Sequence, residues 1–238
     1  MELVLPLLAA VLLAVVHFLA HRLRFLAGVP RSVWLSFAGG ISVSYVFLHL
    51  LPELSEGQEV IAEAAGALGF LENHSFLLAL LGLVVFYGLE RAAREVRHER
   101  EDRPADAVFW LHVASFGFYN LLIGYLLAVR EGGAERGLAL FTLAMALHFL
   151  VNDYGLREHF RELYHRVGRW VLSLAVLAGW LLGVLVRLPE AASAVLVAFL
   201  AGGIVLNVLK EELPEERRSR YWSFLLGAGA YALLLLGL

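Results

Sequence analysis

The 238-residue chain is 60% hydrophobic and 17% charged, with a mean hydropathy of +0.74. A soluble domain holds roughly 45–50% apolar residues, so this composition excludes an ordinary soluble fold and implies an integral, all-α membrane protein. The lack of cysteine excludes disulfides and Cys-based zinc sites, leaving His, carboxylates and weaker oxygens as metal donors; the net charge of −3 says less than where the charges fall.

In chain order, eight apolar segments approach the ~20 residues that a helical span needs: 3–22, 33–52, 74–92, 107–129, 137–156, 168–187, 191–209 and 221–238. The first opens MELVLPLL, with an acid, no base and no small-residue cleavage site after it, so it reads as a retained helix. Near its end His17 and His21 stand one turn apart, a spacing that could bind metal, but beside Arg22 and Arg24 they are expected to snorkel toward water. The second carries AGGISVSYVFLHLLPE from Ala38 to Glu53 and is followed by an acidic loop without Lys or Arg. After the third, ERAAREVRHEREDRPAD reads as a solvated helical extension ended by Pro104, within a cytoplasmic charged loop at 93–106. The fourth and fifth are central helices (107–156), and the charged stretch LREHFRELYHRVGR behind them reads as solvated helix ends. The seventh carries AGGIVLNVLKEELPE from Ala201 to Glu215, nearly a copy of the earlier phrase.

Sorted by alternate loops, the basic residues divide 16 to 3, which accounts for all 19. The positive-inside rule then puts both termini outside. The two AGGI…LPE phrases consequently cross the membrane in opposite directions, as an inverted repeat requires. Repeat one covers 1–92 and repeat two 168–238, with the central helices between them in a single transmembrane domain. The glycine pairs also suit close helix approach.

A three-two-three arrangement of eight helices whose second helix ends in HLLPE (His49 to Glu53) resembles the ZIP family of divalent-metal transporters. The seventh helix, AGGIVLNVLKEELPEE, and the third, LLALLGLVVFYGLERAAREV, are similar to that family's seventh and third. The resemblance places the transport site between helices four and five. Helix four of the family carries a phrase like His-Asn-x-x-(Asp/Glu)-Gly; the run SFGFYNLLIG has Ser115 in place of that His, Phe116 in place of Asn and Tyr119 in place of the acid. Ser115 and Asn120 offer only neutral oxygens, which bind zinc-like ions weakly. His112, one turn before Ser115, is a candidate substitute for the missing His.

Helix five reads HFLVNDYG. His148 and Asp153 match ligand positions of the family phrase, Asn152 takes the second ligand place, Phe149 replaces an acid and Val151 replaces a proline. The i, i+4 spacing puts His148 and Asn152 on one face with Asp153 beside them, so the three could converge on one ion. An ionisable group inside a bilayer is a functional hypothesis by default. His49 and Glu53 are expected at the outer entrance. Lys210, Glu211 and Glu212, at the inner end of helix seven, read either as a solvated ion pair or as an exit vestibule.

The resemblance implies a non-enzymatic transporter that moves Zn2+ or another divalent cation as substrate and has no cofactor. The implied partners are the lipid bilayer, the metal ion and a second copy of the chain, with no nucleic acid, in a bacterial inner membrane. Two alternatives stay open at this point: a ZIP-fold membrane protein without metal transport, and an intramembrane zinc-dependent hydrolase. The latter needs at least three strong zinc ligands and a water position.

Overall fold

A computed structural model describes residues 3–19, 33–65, 74–99, 105–129, 135–212 and 220–237. His21, Arg22 and Arg24, the charged loop at 100–104 and the Leu-Pro-Glu of the second phrase lie outside the described residues, as do the side chains of Glu211 and Glu212. The described chain forms eight helical rods, with no strand among the described residues. They are α1 (Val4–Leu19), α2 (33–65), α3 (His74–Glu99), α4 (Ala105–Val129), α5 (Glu135–His159), α6 (Arg161–Leu185), α7 (190–212) and α8 (Tyr221–Leu236). Six of them, α2 to α7, are long and apolar enough to cross a membrane, and α1 and α8 are shorter apolar helices. The outward faces are studded with exposed apolar side chains, Trp34, Phe47, Leu80 and Leu226 among them, as a lipid-facing surface requires.

Two sequence expectations are corrected. The acidic segment after the second span is helical through Ala65. Its Glu residues recur every three or four positions on one side, while Leu54 and Ile61 bury the other side in the core, so the helix runs on amphipathically. The charged stretch after the fifth span is likewise not simply solvated. A single break at Phe160 (φ −134°, ψ 47°) separates α5 from α6, and Tyr164 beyond it is fully buried against a cluster of Phe109, Val113, Leu156 and Leu172.

Three crossings hold the bundle together, and each is built on a reciprocal pair of glycines. On α2 and α8, a Cβ at Gly40 would collide with the Phe224 carbonyl, and one at Gly227 with the Phe37 carbonyl. On α3 and α7, Gly82 faces the Phe199 carbonyl and Gly202 the Ala79 carbonyl; on α4 and α6, Gly124 faces Val176 and Gly179 faces Leu121. In every case the partner carbonyl lies three residues before the opposing glycine, so the helices touch backbone to backbone. At that distance Cα–H groups meet carbonyl oxygens and dispersion contacts are dense, which is how small residues tie helices together in lipid. Gly40 and Gly202, from the two AGGI phrases, therefore serve the same structural purpose in α2 and α7.

The phrases share a second feature. In each, a π-helical turn stands directly before Leu-Pro-Glu: Val46–Leu50 in α2 and Val208–Glu212 in α7. In α2 the Leu51 amide reaches back five residues to the Val46 carbonyl. Pro52 explains this locally, because its ring lacks an N–H and crowds the carbonyl four residues earlier, and widening the turn relieves that crowding.

Candidate functional site

α1 positions one side chain that the sequence reading had directed to water. Ala10, Leu13, Ala14 and His17 fall at i, i+3, i+4 and i+7, so His17 belongs to the buried stripe of α1 and is 1% exposed. It does not snorkel. Its Nδ1 lies 2.8 Å from Asp153 Oδ2 on α5, and its Nε2 lies 2.9 Å from Asn120 Oδ1 on α4. Phe149 stacks on the imidazole with ring centroids 4.9 Å apart, so the residue standing in place of the family's acid supplies a flat apolar wall instead.

Hydrogen-bond bookkeeping fixes the proton count of this cluster. Asn120 Nδ2 donates to the Phe116 carbonyl at 2.7 Å, and a carbonyl can only accept, so the amide oxygen must face His17. The Nε2 atom is therefore an N–H donor. The other ring nitrogen shares one further proton with the Asp153 carboxyl, and the pair as a whole is neutral. That neutrality is what permits two ionisable groups to sit in the middle of an apolar bundle. Further bonds brace the same spot: Tyr164 Oη donates to the His17 carbonyl at 2.8 Å and Ser173 Oγ to the Ala14 carbonyl at 2.9 Å, both from α6.

The expected convergence of His148, Asn152 and Asp153 is thus only partly found. His148 Nε2 and Asn152 Nδ2 meet at 3.1 Å on one face of α5, while Asp153, one residue on and about 100° around the helix, turns to His17. The Tyr119 ring packs against His148 with centroids 5.7 Å apart. Tyr119 Oη and Asn152 Oδ1 are buried without a hydrogen-bond partner among the described residues. Among the described residues no three His, Asp or Glu side chains gather closely enough to hold a metal ion.

Two cavities share walls on α4 and α7. The larger, about 380 Å3, lies where α4 ends and α7 begins, and is lined by Tyr45, Glu53, Glu56, Phe141, Glu190 and Ser193. The smaller, about 30 Å3, lies where α3 and α7 end and α4 begins, and is lined by Glu90, His112, Ser115, Tyr119, Asn207 and Lys210. On α7 the lining changes from one cavity to the other between Ile204 and Leu206, and on α4 between Tyr119 and Leu126. Paired aromatic rings stand at both, Tyr45 against Phe141 and Phe86 against Tyr119.

The remaining sequence candidates distribute between these cavities. Glu53 lines the larger one, with His49 3.8 Å away on the same helix. His112 and Ser115 line the smaller one. Asn120 belongs to the His17 cluster. Lys210 is not merely a solvated partner of its neighbours, because its ammonium reaches across to Glu90 Oε1 on α3 at 2.6 Å. Sequence reasoning missed His17 and Glu90 as site residues. The helical stripe on α1 could have found the first; nothing local marks the second.

A comparison with protein-family models and with curated protein sequences finds no match for this chain.

Proposed function

We propose that this protein carries a divalent cation, zinc-like in its ligand preferences, across the membrane by alternating access in a ZIP-like 3+2+3 architecture. The observation that carries the reading is the pair of cavities that share walls on α4 and α7, the larger lined by Glu53, Glu56 and Glu190 and the smaller by Glu90, His112 and Tyr119. With both termini outside, the larger cavity opens outward, and its Glu53, Glu56 and Glu190 attract cations toward the centre. His148 and the oxygens of Asn152 and Tyr119, which have no hydrogen-bond partner among the described residues, are the candidate donors. Two neutral oxygens beside one imidazole make a soft-selectivity site, weaker than an all-imidazole and carboxylate one.

The pattern of cross-links supports a moving unit. The glycine crossing of α4 with α6 and the His17, Tyr164 and Ser173 bonds tie α1, α4, α5 and α6 to one another. The other two crossings, with Gln58 to Ser75 and Lys210 to Glu90, tie α2, α3, α7 and α8. Tyr231 Oη to the Leu140 carbonyl bridges the two groups. Sliding one group against the other exposes the centre to each side in turn.

Uptake of Zn2+, Cd2+, Fe2+ and Mn2+ into proteoliposomes tests the reading, comparing the unaltered chain with His148→Ala and Asn152→Ala. The expected result is uptake that both substitutions reduce. Uptake equal to that of empty vesicles for all four ions overturns it. The second reading, a ZIP-like fold that has given up transport, is favoured by the capture of Asp153 by His17, and that null result is its signature.

A further inference from the structure

The larger cavity has more room, and more apolar wall, than a metal ion uses. Its volume of about 380 Å3 falls in the range of small-molecule sites, roughly 300–1,000 Å3. On α7 its wall runs through Glu190, Ser193, Ala194, Val197, Leu200 and Ile204, a single stripe along about 21 Å of helix at ~1.5 Å per residue. The stretch Leu51–Ala65 of α2 packs against Glu190–Asn207, and Val33–Tyr45 packs against Val208–Glu212, so α2 supplies a second wall running antiparallel to the first. Gly57 and Ala194 mark a common level, since a Cβ at Gly57 would lie 3.7 Å from that of Ala194.

That register sorts the lining by depth. Glu53, Glu56 and Glu190 all lie within about 6 Å of the Gly57 level, measured along their helices. Leu200, Leu50, Ile204 and Tyr45 lie about 9–18 Å farther in on the same measure. Phe141 joins them there, its ring centroid 6.2 Å from that of Tyr45. None of the described residues that line the cavity is Lys, Arg or His. Glu53 also meets His49 at 3.8 Å, so recognition falls to the three carboxylates as a group rather than to one of them. Negative charge therefore occupies one half of the cavity, and the other half is apolar and aromatic. A hydrated metal ion matches only the first half, because its water shell would face Leu, Ile and Phe side chains that accept no hydrogen bond. A cation that carries its own hydrocarbon matches both.

We infer that the larger cavity binds an amphiphilic organic cation, an alkyl- or arylalkylammonium, with its ammonium among Glu53, Glu56 and Glu190 and its hydrocarbon toward Tyr45, Phe141 and Ile204. Burial of the hydrocarbon supplies most of the affinity, and the carboxylates select charge and fix orientation. This site goes beyond the transport reading and does not depend on it, since the ligand is held without any metal.

The probe is phenylbutylammonium, titrated by calorimetry into the full chain in phosphatidylcholine nanodiscs without metal, with protein-free nanodiscs as the blank for partition into lipid. Saturable binding of one probe per chain is expected. Phenylethylammonium, two methylenes shorter, is expected to bind roughly tenfold more weakly, and phenylbutanol, which has the same hydrocarbon without the charge, at least tenfold more weakly. Replacing Glu53, Glu56 and Glu190 together by Gln is expected to weaken binding tenfold or more. Ala194→Phe, which keeps every carboxylate and fills the cavity between α2 and α7, is expected to weaken it by at least as much. Its melting temperature separates a filled cavity from a misfolded chain, and Val197→Phe replaces it if it misfolds. No saturable binding, or binding that neither the triple substitution nor the filled cavity weakens, overturns the site. Equal binding of phenylbutanol overturns it too, and marks the cavity as a seat for a lipid chain. Metal uptake that persists in either case leaves the transport reading standing. Binding as expected, with no uptake of any of the four ions, overturns the transport reading alone.

Discussion

His17 and Asp153 stand 136 positions apart in the chain and meet at 2.8 Å, each side chain 1% exposed, so that α1 and α5 share one buried, neutral pair. Removing either partner alone strands the other. Asp153→Ala is expected to destabilise the protein by ~1–3 kcal/mol, the range for a buried polar group that loses its partner. The double substitution with His17→Ala is expected to cost clearly less than the sum of the two single ones. Thermal unfolding in detergent, completed as a double-mutant cycle, measures the coupling; additive losses would remove the pair from the account.

The glycine crossings predict a contrast between two substitutions of the same kind. Gly202→Ala forces a methyl into the Ala79 carbonyl, where only backbone can yield, and is expected to cost ~1–3 kcal/mol or more. Gly88→Ala, on an exposed face of α3 with nothing within 4 Å of the new Cβ, is expected to be neutral or to stabilise by up to ~1 kcal/mol. Fluorescence-detected size-exclusion after a heating series distinguishes them, and equal behaviour contradicts the backbone-contact explanation.

Tyr119→Phe separates stability from function. Deleting a buried hydroxyl that has no partner among the described residues is expected to raise stability of the ion-free protein by ~1 kcal/mol, since its desolvation is no longer paid for. The same change is expected to weaken Cd2+ binding, as sites poised for a ligand are commonly bought with stability in this way. Melting temperature with and without Cd2+ reports both effects; a destabilised ion-free variant contradicts the prediction.

The three carboxylates of the larger cavity act at long range. Replacing Glu53, Glu56 and Glu190 together by Gln is expected to slow cation uptake at low ionic strength and to matter less at high salt, where the Debye length is short. Initial uptake rates at two salt concentrations check this, and a salt-independent deficit would point to direct coordination instead.

Eight helices were legible because each needs only a sustained apolar run, which composition and spacing expose directly. The repeated phrases were legible too, and Gly40 and Gly202 do take equivalent structural positions, though only the folded bundle shows which carbonyl each one meets. The extension of α2 to Ala65 was hidden because its acidic face read as a loop, and its buried side is defined only by the neighbouring helices it packs against. On α5 the i, i+4 rule rightly paired His148 with Asn152. It could not assign Asp153, whose partner lies on another helix.

By itself, then, the sequence determined an all-helical membrane protein, its number of helices, and the polar side chains that had to be accommodated within them. These follow from local periodicity and from the cost of exposing backbone to lipid. Which polar groups neutralise one another was decided by the tertiary structure alone. His17 with Asp153 and Lys210 with Glu90 join helices far apart in the chain, and a charge buried in an apolar bundle is stable only where packing delivers its counterpart.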